Sequence, residues 1–193
     1  HSREDFVDTL NNCILSHRSE AGFRISSPPG TDYFIDLHAN VKKANAPFYY
    51  ERVDFDFEIR VYIKPHFKST YDAGAILILE DEEHWIKAAF EKTDLGYPAA
   101  VSVVTREASD DCNGERIDEE DLFLRVLRRG DYFAIHHSRV GTDWKMLRYF
   151  YLPLTRKVMV GVMAQSPLGK GVDVDFSDLV ITENRYRDLR SGK

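Results

Sequence analysis

Three observations predict an all-β fold, an antiparallel sandwich or barrel. Residues 54–63 alternate strictly, with Phe55, Phe57, Ile59, Val61 and Ile63 on one side and Asp54, Asp56, Glu58, Arg60 and Tyr62 on the other. That is the period of a strand with one buried face. Runs of high β propensity then follow at 73–80, 84–91, 100–105, 122–127, 132–138, 145–152, 157–165 and 172–181, about nine strands in all. The breaks between them are turn chemistry, such as Asp81-Glu82-Glu83, Leu95-Gly96-Tyr97-Pro98, Asn113-Gly114 and Ser166-Pro167-Leu168-Gly169. None carries a helical period, which excludes a βαβ architecture.

Before the strands, residues 3–17 are predicted as a short amphipathic helix. Phe6, Leu10 and Ile14 recur every fourth residue, Val7 joins the stripe, and Ser2 stands three residues before Asp5 as a cap. Ser26-Ser27-Pro28-Pro29-Gly30 is a loop, because two prolines continue neither a helix nor a central strand. Residues 184–193 hold four basic side chains and a Ser-Gly near the end, and are expected to fray. No repeat or linker divides the chain, so residues 1–193 are expected to form one sandwich domain.

The composition sets the class of partner. Twenty-six Lys and Arg against 32 Asp and Glu leave a net charge of −6 over 193 residues. That balance argues against electrostatic capture of nucleic acid or an anionic bilayer and favours a neutral ligand or a protein. With 43% hydrophobic and 30% charged residues the chain has the makings of a packed core. No apolar run approaches the length of a membrane span, and the first 20 residues lack an apolar signal core. Cys13 and Cys112 lie outside any metal-ligand spacing and read as free thiols, which points to an intracellular, cytoplasmic protein.

The chemistry-bearing residues gather on polar strand faces. On the strand at 84–91, Trp85, Lys87, Ala89 and Glu91 share one side, and Ile86, Ala88 and Phe90 the other. An aromatic plate, a cation and a carboxylate thus stand in one row, alternate residues about 7 Å apart. Such a row suits a polyol: the ring stacks on C–H faces and the charges fix hydroxyls. The plain structural alternative has Trp85 covering a sheet edge and Lys87 paired with Glu91. Glu58, Arg60, Tyr62, Phe123 and Arg125 either line the same groove or pair across strands on a solvated face. His136 is turned outward with Tyr132 and Ser138, as a ligand contact or proton carrier. His136 and His137 point to opposite faces and cannot share a metal, so no metal site is expected. HExxH, Walker, GxGxxG and GxSxG motifs are absent, and no cofactor is expected. A glycosidase pair would have to come from Glu91 with Asp72 or Glu58. The run Asp118-Glu119-Glu120-Asp121 reads as a solvated turn rather than a Ca²⁺ loop.

The ordered set Tyr71-Asp72-Ala73-Gly74, Trp85-Ile86-Lys87-Ala88, Phe90-Glu91, Ser102-Val103-Val104-Thr105, Ser109-Asp110 and Arg128-Arg129-Gly130-Asp131 resembles a family of unassigned function. It continues through Ser138, Gly141, Trp144, Arg148, Val160-Gly161, Ser166-Pro167 and Val174-Asp175-Phe176. That family includes the "regulation of enolase" proteins and small proteins of bacterial pectin-utilisation clusters. The resemblance implies a concanavalin A-like jelly roll of two curved antiparallel sheets, with a groove where relatives of the fold hold oligosaccharides. It carries over Tyr71, Asp72, Trp85, Lys87, Glu91, Thr105 and Arg148 as recurrent positions. Two departures stand out: Asp72-Ala73-Gly74 lacks the usual glutamine, and Asp111 replaces the usual tryptophan after Ser109-Asp110. A lost ring and a lost amide weaken a purely lectin-like role and favour a protein partner or a changed ligand.

Three functions therefore stand as expectations. The first is a non-enzymatic binding or regulatory protein of carbohydrate metabolism, taking a carbohydrate or sugar phosphate, or a metabolic enzyme as partner, at Trp85, Lys87, Glu91 and Arg125. The second is a glycoside-processing enzyme with paired carboxylates. The third is a homodimeric scaffold docking through a sheet edge or the N-terminal helix.

Overall fold

The computed structural model describes residues 7–193. The chain opens with β1 (Val7–Leu10), β2 (Leu15–Ser16) and β3 (Gly22–Ser27), then a small hairpin of β4 (Tyr33–Asp36) and β5 (Val41–Ala44). Next come β6 (Phe48–Val53), β7 (Phe57–Pro65), β8 (Ala73–Asp81), β9 (His84–Lys92), β10 (Pro98–Arg106) and β11 (Ala108–Arg116). The last five are β12 (Leu122–Arg129), β13 (Tyr132–Ser138), β14 (Lys145–Tyr151), β15 (Val158–Gln165) and β16 (Val172–Glu183).

Two seven-stranded antiparallel sheets result, one ordered β1-β6-β15-β8-β9-β10-β11 and the other β14-β13-β12-β7-β16-β3-β2. Their inner faces carry the alternating side chains that predicted them. Ile59, Val61 and Ile63 of β7 meet Ile76 and Ile78 of β8 and Ile86 and Phe90 of β9 in one buried cluster. The layers approach closely at Gly74, where a Cβ would stand 2.5 Å from Val174 Cγ1 and 2.6 Å from Ile63 Cγ2.

The first sheet is buried on its outer face as well. The β4–β5 hairpin lies there, and Tyr33, Phe48, Leu77, Trp85, Ala89 and Met163 form a second apolar cluster. Small side chains at Ala73, Ala75, Ala89 and Ala99, all fully buried, leave the depth that receives the hairpin.

No helix occurs among the described residues. Residues 3–6 of the expected N-terminal helix lie outside them, and residues 7–17 form β1, a turn and β2 instead. Tertiary contacts override the four-residue spacing. Asn11 and Asn12 both take φ of 58°, a left-handed conformation that asparagine tolerates, and the Asn11 amide donates to Tyr33 Oη, Ala44 O and Ala46 O at 2.8–3.2 Å. Ile14, expected on the buried stripe, is 77% exposed. Phe55 is exposed as well, because β7 begins only at Phe57. Residues 184–193, expected to fray, pack instead across the outer face of the second sheet, with Leu189 buried on Leu127 and Ala134.

Candidate functional site

Strand register builds a pocket on the outer face of the first sheet. Lys87 of β9 pairs with Leu77 on one side and Val103 on the other, and Val103 pairs in turn with Asp111 of β11. Four residues along, past Ala89, Glu91 pairs with Ala73, and Ala73 with Gln165 of β15. Two polar rows thus cross four strands with alanine and valine between them. The hairpin closes the space from above, giving a pocket of about 250 Å³ lined by Asp32, Phe34, Asp36, Tyr71, Lys87, Glu91, Val103, Asp111 and Gln165.

Lys87 holds the cover rather than greeting a ligand. Its ammonium donates to Tyr33 O at 2.7 Å, Gln165 Oε1 at 2.8 Å and Asp32 Oδ1 at 3.1 Å, which uses all three of its protons. Its charge is matched by Asp32, so Asp36 and Asp111 leave the pocket net acidic. Gln165 is fixed in turn: its amide donates to Tyr71 O at 2.9 Å and, weakly, to Glu91 Oε1 at 3.4 Å.

Burial pushes the Glu91 carboxyl up to about 8, with Lys87 opposing and Asp111, Asp32 and Asp94 reinforcing the rise. At neutral pH this buried group is mostly a neutral acid, a hydrogen-bond donor on the pocket wall. Asp111 is exposed at the rim, yet partial desolvation raises it too, Lys87 opposing and Asp94 adding. Tyr71 adopts φ of 71°, a conformation costing an ordinary side chain about 1–2 kcal/mol. Its N–H donates to Lys92 O at 2.7 Å and its carbonyl accepts from Gln165, so the strained backbone is fixed from both ends and Tyr71 is held in the pocket lining.

Of the residues singled out in the sequence, Tyr71, Lys87 and Glu91 meet in this pocket. Trp85 does not stand open to solvent: it is fully buried, edge-on to Tyr33, with its indole N–H donating to Glu82 O. Thr105, its cross-strand neighbour, is buried and bonded to Ser109. Asp72 caps a turn, accepting from the backbone N–H groups of Lys68 and Ser69 and from Ser166 Oγ. Arg148 sits between the sheets, donating to Ser102 Oγ and Asp110 O and paired with Asp110 at 3.3 Å. Arg125 and His136 belong to a different place altogether, the outer face of the second sheet, where they are direct cross-strand partners. Glu58 is there too, and Asp72 is spent on its turn, so neither faces Glu91 as the partner a glycosidase needs.

Asp32, Phe34 and Asp36 were missed because nothing in 31–53 has the spacing of a strand laid over a sheet, and Gln165 because it is an uncharged residue at the end of the predicted strand 157–165. Asp111 left a signal, the aspartate standing where the resemblance expects tryptophan. Outside the pocket, Glu80, Asp81 and His84 bring ligand atoms within 4.8 Å of one another at the β8–β9 turn, where His84 Nδ1 and Asp81 Oδ1 already bond at 2.8 Å.

A family model described as "Protein of unknown function (DUF1349)" matches residues 11–184. "Regulation of enolase protein 1" of Saccharomyces cerevisiae is 27% identical over 153 residues, covering 79% of this chain and 77% of the relative. A crystal structure of a functionally unknown Saccharomyces cerevisiae protein superposes with a TM-score of 0.87 at 23% identity, covering 94% of this chain and 98% of the other. Lectin I-B4 of Griffonia simplicifolia superposes with a TM-score of 0.62 at 10% identity, over 93% and 94% of the two chains. At that identity the likeness shows a shared jelly-roll sandwich.

Proposed function

The chain belongs to the DUF1349 family of proteins of unknown function, and on that premise we propose that it is a non-catalytic binding protein that takes a small neutral carbohydrate in the pocket beneath the β4–β5 hairpin. The observation that carries this reading is the pairing of a buried, largely protonated Glu91 with the open acceptors Asp36 and Asp111 in one pocket. Sugar hydroxyls donate to carboxylates and accept from a carboxylic acid, and Tyr71 and Phe34 supply aromatic contact for C–H faces. The excess of acids repels a phosphate, so unphosphorylated sugars are favoured over sugar phosphates. The name of the yeast relative, Regulation of enolase protein 1, supports a regulatory rather than a degradative setting.

The test is to identify by mass spectrometry the small molecules that co-purify with the protein, and to screen neutral sugars and sugar phosphates by calorimetry. A neutral sugar bound by the native chain and weakened about tenfold or more in Asp111→Ala supports the reading. No sugar bound, or binding indifferent to both Asp111→Ala and Glu91→Gln, overturns it.

A further inference from the structure

The outer face of the second sheet, opposite the pocket, carries two guanidiniums and an imidazole in one row. Arg125 of β12 pairs directly with Arg60 of β7 on one side and His136 of β13 on the other. Like charges opposed across strands, as Arg125 and Arg60 are, are unfavourable, and Arg125 is 1% exposed; His136 is fully covered, and burial pushes its imidazole down to about 4, so it stands neutral beside them. The guanidinium of Arg125 lies between the rings of Trp144 and Tyr186, 4.4 and 4.9 Å from their centroids. Glu58 is the carboxylate paired with it among the described residues, at 3.8 Å, beyond hydrogen-bond reach. Glu58 Oε2 also accepts from Tyr186 Oη at 3.0 Å and faces Arg60 at 4.0 Å. One negative charge therefore answers two guanidiniums, and Arg125 Nε and Nη2 and His136 Nδ1 find no hydrogen-bond partner among the described residues. Each unmet buried Arg125 donor costs about 1–3 kcal/mol, more for a charged group, whereas His136, whose Nε2–H donates to Arg190 O, offers Nδ1 as an acceptor.

The cover over this row is residues 186–192. It has no place in either sheet, since β16 ends at Glu183. It is held by Arg129 donating to Arg187 O at 2.6 Å, by His136 Nε2 against Arg190 O at 3.0 Å, by the Tyr186 hydroxyl and by Leu189. Gly192 rests so close on Arg125 that a Cβ there would collide with Nη2. Such a segment opens without breaking a strand ladder.

We propose that Arg125, with Arg60 beside it, is a binding site for a small oxyanion, a phosphate or carboxylate group, and that residues 186–192 are its displaceable cover. A planar guanidinium with adjacent free N–H donors matches two oxygens of such a group, and the two aromatic faces hold it in orientation. The anion supplies the negative charge the row lacks.

The experiment follows the Nε–Hε resonance of Arg125, assigned by its loss in Arg125→Lys, while inorganic phosphate or acetate is titrated into the full chain at constant ionic strength. The resonance is expected to shift on saturation, and the affinity to rise about tenfold in Leu189→Ser, which loosens the cover. Arg125→Gln is expected to abolish binding; should that variant not fold, Arg60→Gln, whose side chain is exposed, is expected to weaken it. A shift with phosphate alone assigns a phosphate-bearing ligand, and a shift with both assigns a general oxyanion site. A resonance unmoved by either probe in both the native and Leu189→Ser chains overturns the site. Binding that is no tighter in Leu189→Ser overturns the cover.

Discussion

Replacing Glu91 with glutamine tests the pocket's electrostatics without a ligand. A carboxyl raised from its ordinary value of 4.5 to about 8 binds its proton more tightly folded than unfolded. The fold therefore bears no penalty from it at low pH. Stability is lost at about 1.4 kcal/mol per pH unit once the unfolded chain ionises, and the loss levels off above the folded value. Between about pH 5 and about pH 9 this amounts to about 4 kcal/mol in the native chain. Glutamine keeps the shape and the donor but cannot ionise, so Glu91→Gln removes this component. Asp111 moves in the same direction but is present in both proteins, so its direct contribution cancels in the comparison. Urea unfolding at a series of pH values measures the difference between the two profiles. Parallel profiles, differing by a constant to within about 1 kcal/mol, would refute the argument that burial keeps Glu91 protonated.

Three further outcomes follow from the packing. Lys87→Met leaves Asp32, Tyr33 O and Gln165 Oε1 without their shared donor, and is expected to cost about 3–5 kcal/mol. Faster amide exchange in the β4–β5 hairpin checks it, and unchanged exchange there would separate Lys87 from the cover. Gly74→Ala drives a methyl against Val174 and Ile63 and is expected to cost about 1–3 kcal/mol in urea denaturation. Burial pushes the Cys13 thiol up to about 11, while Cys112 is exposed. A maleimide should therefore label Cys112 alone in the folded chain, which peptide mass mapping reads directly.

Much of the sandwich was legible because its strands are runs of β-forming residues, alternating most strictly in β7, broken by turn chemistry. Residues 73–80, 84–91 and 132–138 lie within β8, β9 and β13 with ends displaced by at most a residue. β11 was hidden because Ala-Ser-Asp-Asp-Cys-Asn-Gly-Glu-Arg is an edge strand mostly open to solvent, rich in residues that ordinarily mark turns. The same pattern correctly put Trp85, Lys87 and Glu91 on one face of β9 and Arg125 and His136 on one face of their sheet. It carried no information about which sheet each strand joins, and so merged two opposite surfaces into one groove. Nor does periodicity within a strand reveal a neighbour laid over it: the hairpin at 33–44 turns an exposed row into a buried one.

The pocket's walls belong to two separate pieces of the chain, since Asp32, Phe34 and Asp36 come with the hairpin and Glu91, Val103 and Asp111 with the sheet. Retention of an occupant and seating of the lid-like segment are then a single equilibrium seen from two sides. A protein that gripped the hairpin in only one of its positions would change the affinity for the proposed occupant, and by reciprocity the occupant would change that protein's affinity by the same factor.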